Sequence, residues 1–152
     1  MSEIKFYDLV PVIGEVYMME FKGAGTAQSG WRPGVVLQNN IGNANSPNII
    51  ALPLTSSIKK VDQPTHVVVP AAETNLWKDS MVLCENPETI AKGSIGRYMT
   101  TLPEKYMKKI AIASCIATTA IAYLTADDLI NVWQTAIRIN NKTIRTVNAY
   151  NM

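Results

Sequence analysis

Histidine and cysteine, on which much catalysis and metal binding relies, are scarce: one His and two Cys among 152 residues. The single His66 excludes a two-histidine acid–base pair within one chain. No Gly-x-Ser-x-Gly elbow is present to make it part of a serine triad. Within its β-branched run, His66 reads as a hydrogen-bonded strand residue. Cys84 and Cys115 have neither Cys-x-x-Cys nor Cys/His spacing, so no metal site is implied. Both lie in apolar surroundings and read as buried, reduced core residues. Phosphate-cradling Gly-x-x-x-x-Gly-Lys and dinucleotide Gly-x-Gly-x-x-Gly patterns are absent, and no carboxylate cluster offers a seat to a divalent ion. The expectation is a protein that works with no metal and no cofactor.

Strong net charge is also missing. Fourteen Lys and Arg against twelve Asp and Glu leave +2, too little for a global field to draw the chain onto nucleic acid or a lipid surface. The longest apolar stretch, 110–124, falls short of the roughly 20 residues a membrane span requires. Residues 1–8 carry Glu3, Lys5 and Asp8 where a signal peptide would be basic and then apolar. The simplest expectation is a soluble cytoplasmic protein with no membrane partner. At 47% hydrophobic residues, the composition supports one packed domain and excludes disorder.

What is present divides into two halves. Up to about residue 100, short apolar or β-branched runs alternate with turn signals. Strands are predicted at 14–21, at 33–37 entered through Pro33, at 49–54 with Pro53 marking a bulge or edge, at 65–69 and at 80–84. Between them, 22–30 is a small-residue loop, and 39–48, with five asparagines, a glycine and a proline, reads as another. Short strands with frequent turns predict a small closed or half-closed β-barrel.

The second half is helical. Thr101-Leu102-Pro103-Glu104 has the form of a capping box, and Tyr106, Ile110, Ala113, Ala117, Ile121 and Leu124 follow at helical spacing. From Ile110 onward this helix is apolar nearly all round, which implies burial on more than one side, a dimer interface being one way to achieve it. Thr125, with Asp127 and Asp128 behind it, caps a second helix over about 126–139 with Leu129, Ile130, Trp133, Ala136 and Ile137 on one face. A polar, poorly ordered tail is expected from Asn140 to the end.

Residues 21–61 contain Lys22, Arg32, Lys59 and Lys60 and no Asp or Glu, with Trp31 beside Arg32 and many amide side chains. Cations, an aromatic ring and amides suit single-stranded nucleic acid, which needs phosphate neutralisation, stacking and edge hydrogen bonds. An ordinary solvated face with a core tryptophan accounts for the composition equally well.

The run Gly25-Thr26-Ala27-Gln28-Ser29-Gly30-Trp31-Arg32-Pro33-Gly34, continuing through Val35 to the Asn-rich segment, resembles the loop and second strand of the MazF/PemK (Kid) toxin family. The likeness extends through Ser46-Pro47, Pro53-Leu54-Thr55-Ser56, Pro64-Thr65-His66-Val67 and Lys78-Asp79-Ser80 to the helix from Pro103, about residues 13–124. It implies an SH3-like β-barrel of the MazF/CcdB type with a C-terminal helix (1–124), followed here by an extra helical extension (125–152). It also implies a type II toxin: an endoribonuclease (mRNA interferase), commonly a homodimer, that cuts single-stranded RNA at short motifs and is restrained by a cognate antitoxin.

By position, Arg32 and Thr55 match the family's catalytic arginine and threonine, and Asn39 and Asn86 its base contacts. Gln28, Trp31, Ser56 and Lys59 complete the expected RNA-binding set. A guanidinium gives two parallel hydrogen bonds to phosphate oxygens and carries charge at every working pH, and a threonine adds a short neutral donor. The expected products are a 2′,3′-cyclic phosphate and a 5′-OH. The family's loop acid is replaced by Ala27, so a barrel that binds nucleic acid or protein without cutting is the alternative. A gyrase-directed, CcdB-like toxin is a third. The extension has three possible roles: enlarging the dimer interface, covering the groove, or packing on the barrel.

Overall fold

The computed structural model describes residues 10–25 and 29–150, with side chains to residue 141. Seven strands come first: β1 (Glu15–Phe21), β2 (Gly30–Val36), β3 (Asn48–Thr55), β4 (His66–Val69), β5 (Ser80–Leu83), β6 (Glu88–Ala91) and β7 (Ile95–Thr101). Short helices α1 (Asn40–Asn45) and α2 (Ala71–Thr74) sit in the connections, and α3 (Glu104–Thr118) and α4 (Ala126–Tyr150) follow the sheet. All pairings are antiparallel, in the order β4-β5-β3-β2-β1-β7 with β6 beside β3. The sheet curls far enough for β1, β2, β3, β5 and β7 to line one groove. This is the half-closed SH3-like barrel the sequence implies.

Period-two alternation assigns side chains to two cores. Val16, Val35, Leu52, Leu54, Val67, Val69 and Val82 point inward, where α3 seals the barrel with Tyr106, Ile110 and Ala113. Tyr17, Met19, Phe21, Val36, Ile49 and Ala51 pack on the other face beneath Ile90 of β6 and Ile95. Gly34 lets Phe21 cross β2, because a Cβ there would stand 2.7 Å from the ring of Phe21 and 2.9 Å from the sulfur of Met19.

Both strand prolines sit where a ladder has a gap. β3 joins β2 only from Gly34 onward, so Pro33 has a partner strand on one side, at Met18. Pro53 faces Gly34, and on its other side it lies between the stretch of β3 paired with β6, Asn48 to Ala51, and that paired with β5, Leu54 and Thr55. A residue that cannot donate is tolerated at such positions.

Several expectations need correction. β2 starts at Gly30, so Pro33 lies inside the strand and not at its entry. The Asn-rich segment forms α1, because Asn39 caps it by accepting from Gly42 N–H at 2.9 Å. Asn40 and Asn43 are buried there, where Asn40 accepts from Ile13 N–H and Asn43 donates to the Gln38 carbonyl and to Asn40.

The capping box at Thr101 does not form. α3 begins at Glu104 without a side-chain cap, and the Thr101 hydroxyl is paired with that of Tyr98 at 2.7 Å. α3 then stops at Thr119, which takes a left-handed conformation with φ of 52°, and residues 120–123 form a single 3₁₀ turn. Cys115 is exposed, whereas Cys84 is buried as expected. The second helix does not give way to a tail at Asn140 but runs to Tyr150. It approaches α1 and leaves Leu129, Ile130, Trp133 and Ile137 exposed. No described helix is long and apolar enough to cross a membrane.

Candidate nucleic-acid interface

A groove of about 360 Å³ opens where the curled sheet brings its strand ends together. Trp31 and Arg32 reach it from β2, Thr55 from the last position of β3, with Ser56 next to it. Across from them, Trp77 and Lys78 come from the α2–β5 connection and Arg97 from β7. Three cationic side chains and two indoles thus share the groove, and no carboxylate is among its lining residues. The local field is positive although the whole chain carries only +2.

The loop leading into Arg32 is pinned at both described ends. The Glu88 carboxylate accepts from Lys22 N–H at 2.6 Å and Gly23 N–H at 3.2 Å, while Arg32 donates from an Nη to the Ser29 carbonyl at 2.7 Å. Thr55 Oγ1 accepts from Ser57 N–H at 3.1 Å, which fixes the side chain and leaves its own O–H to donate elsewhere. Trp31 is 55% exposed, its ring lying close over Gly96, where a Cβ would be 3.2 Å from the indole. Trp77 is 78% exposed, and the Arg97 guanidinium stands 5.2 Å from its ring centroid.

Four of the expected site residues, Trp31, Arg32, Thr55 and Ser56, therefore meet in one groove. Three others do not line it. Asn39 is occupied as the α1 cap, Lys59 is exposed beyond β3, and Asn86 is half-buried in the turn after β5. Gln28, together with Thr26 and Ala27, lies outside the described residues. His66 is held away from the groove, with Nε2 at 2.8 Å from Glu85 and Nδ1 at 3.0 Å from the Lys60 carbonyl. Among the described residues, no group of three or more His, Cys, Asp or Glu could hold a metal ion.

Trp77 and Arg97 are groove residues that sequence reasoning missed. One signal was there: Trp77-Lys78 repeats the aromatic–cation pairing of Trp31-Arg32. Arg97 gave none, since β7 itself was not anticipated.

Comparison with known proteins agrees with this geometry. The family described as "PemK-like, MazF-like toxin of type II toxin-antitoxin system" matches residues 13–118. Endoribonuclease MazF of Staphylococcus saprophyticus is 37% identical over 98 residues, covering 64% of this chain and 82% of that protein. Endoribonuclease EndoA of Bacillus subtilis is 35% identical over 109 residues, covering 72% and 84%. Among solved structures, a mycobacterial endoribonuclease in complex with its cognate antitoxin superposes with a TM-score of 0.60 at 26% identity, over 72% of this chain and 96% of that one. The Arg-Pro pair of β2, the curled sheet and its cationic groove thus stand on a matched span of most of the chain, and the protein belongs to the PemK-like, MazF-like family of type II toxin–antitoxin toxins.

Proposed function

We propose that the chain is an endoribonuclease toxin that cleaves single-stranded RNA at short motifs, without a metal ion, in the cytoplasm. The observation that carries this reading is the placement of Arg32 and Thr55 in one groove with cations, indoles and no carboxylate. In the reaction, the ribose 2′-oxygen attacks the adjacent phosphorus and the bond to the 5′-oxygen breaks. The 2′-hydroxyl gives up its proton as its oxygen attacks and the departing oxygen takes one up, giving a 2′,3′-cyclic phosphate and a 5′-OH. Arg32 opposes the charge that builds on the phosphoryl oxygens, and Thr55 donates to the same oxygens and positions them. Trp31 and Ser56 hold the strand beside the scissile phosphate. Asn39, Lys59 and Asn86 are reached by RNA that extends past the groove, and Gln28 completes the RNA-binding set.

The barrel domain, 1–124, carries this activity, and the extension, 125–152, is separate from it. A cognate antitoxin restrains the toxin by occupying the groove. The protein acts as a homodimer paired through the outer face of α3, where Ile112 and Ile116 are 53% and 45% exposed, with the α4 face enlarging the contact. Large apolar side chains left in water on consecutive helical turns favour such a partner.

The test is incubation of end-labelled RNA with the purified chain in EDTA. Wild type is expected to cut at a few short motifs and leave cyclic phosphate ends. Arg32→Ala should lose on the order of 10²–10³ in rate, the scale for removing one preorganised charge-stabilising donor. Thr55→Ala should lose rate with RNA affinity less affected. The replacement of the family's loop acid by Ala27 favours a second reading, a barrel that holds RNA without cutting it. Retention of RNA on a gel with no cleavage would decide for that reading.

A further inference from the structure

An indole as exposed as that of Trp77 is costly to leave in water, and its backbone is not free to hide it. Leu76 beside it is buried in the barrel core, Asn75 turns the chain in a left-handed conformation, and the Asp79 carboxylate accepts from Ala71 N–H at 2.8 Å. The loop is therefore fixed, and it presents the ring to the groove. Arg97 stands over one side of the ring at 5.2 Å, and with 78% of the residue exposed, the other side is open. The neighbouring residue of β7, Gly96, backs Trp31 in the same groove. An aromatic ring supported on one side and bare on the other, beside cations that neutralise phosphate, is what a stacked nucleobase requires.

We propose that Trp77, held by Arg97, is a base-stacking platform that binds one nucleobase of the RNA, a binding site separate from Arg32 and Thr55. The proposal rests on the nuclease reading for its substrate class. It makes Trp77 a binding residue and not a catalytic one. Arg97 also lines the groove, where its charge can neutralise a phosphate next to the stacked base.

Binding of a short, uncleavable 2′-O-methyl oligoribonucleotide separates this from the nuclease reading. In a Trp31→Phe/Trp133→Phe background, Trp77 is the remaining tryptophan, and its fluorescence is expected to be quenched on titration. Replacing one base by an abasic residue should abolish the quench at one position of the strand only. Trp77→Ala should weaken binding, and raise KM, roughly tenfold or more with kcat little changed, and Trp77→Phe should restore most of the affinity. Binding and KM of Trp77→Ala within twofold of wild type would overturn the proposal. So would a loss that no abasic substitution reproduces. Unchanged RNA affinity with a weaker hold on the co-expressed antitoxin would assign the platform to a peptide, and also overturn it. Quenching by this oligoribonucleotide, with no cleavage of unmodified end-labelled RNA by the wild type, would remove the nuclease reading and leave the platform standing.

Discussion

At the scale of single residues, Glu15 shows how the barrel constrains charge. Its carboxylate is half-buried at the start of β1, where it accepts from Val12 N–H and from the Tyr17 hydroxyl at 3.2 Å. Burial outweighs these bonds and raises its pKa above the usual carboxyl value, and burial together with Glu15 raises that of the Tyr17 phenol. A raised pKa means that the folded state favours the protonated form. This contribution to stability is fully present below the ordinary glutamate pKa and is lost as pH rises through the raised one. Glu15→Gln keeps an acceptor and carries no charge. It is expected to be more stable than wild type at pH 7, with the gain vanishing as pH falls to the glutamate range. Urea denaturation at both ends of that range checks this, and an equal difference at both would refute it. The residues with chemical roles were unequally legible. Arg32 and Thr55 stood in recognisable motifs, whereas Trp77 drew no reading, because composition does not reveal which face of a loop meets solvent. Asn39 was expected from the resemblance to contact a base, but capping α1 is local work that a loop reading hides.

At the scale of elements, strands with apolar or β-branched runs were readable and those without were not. β6 (ETIA) and β7 (IGRYMTT) mix polar and small residues, since β6 covers only the edge of β3 and much of β7 faces solvent. Arg97 went unnoticed with β7. The start of α4 was legible because its signal is local. Thr125 N–H donates to Asp128 at 3.0 Å and Asp128 N–H donates to Thr125 Oγ1 at 3.1 Å, a reciprocal cap. Hydrogen bonds from Thr125 to the carboxylate, its backbone N–H first and then its side chain, lower the Asp128 pKa. The cap is therefore in place above the ordinary aspartate pKa and is lost as pH falls through the lowered one. Asp128→Asn should reduce far-UV helical dichroism at neutral pH and match wild type only below the aspartate range. Equal helicity at neutral pH would show that α4 does not depend on its cap. The far end of α4 was not legible, because Asn and Thr are weak helix formers and the sequence beyond 139 has no stop signal to distinguish a helix from a tail.

At the scale of the whole molecule, the fold separates two surfaces. The groove takes its residues from the sheet and the α2–β5 connection, and most of the exposed large apolar side chains lie on α3, the turn after it and α4. All-round apolarity of α3 was read as burial on more than one side, yet within one chain only Tyr106, Ile110 and Ala113 of that helix are buried. If pairing covers the rest, Ile116→Lys should convert a dimer to a monomer in sedimentation velocity while the folded barrel keeps its thermal transition. A wild type that sediments as a monomer, or a variant that still dimerises, would refute it.

The cysteines, set aside at first as core residues, have opposite environments. Burial pushes the Cys84 thiol up to about 12, so it is both covered and protonated at neutral pH. Cys115 is exposed, three residues after Ile112 and one before Ile116, on that same outer face of α3. Only the thiolate reacts with alkylating reagents, and access then sets the rate. The chain thus carries an intrinsic chemical clock: the speed at which one thiol per chain is alkylated reads out, without any engineered label, how much of the time that face is covered.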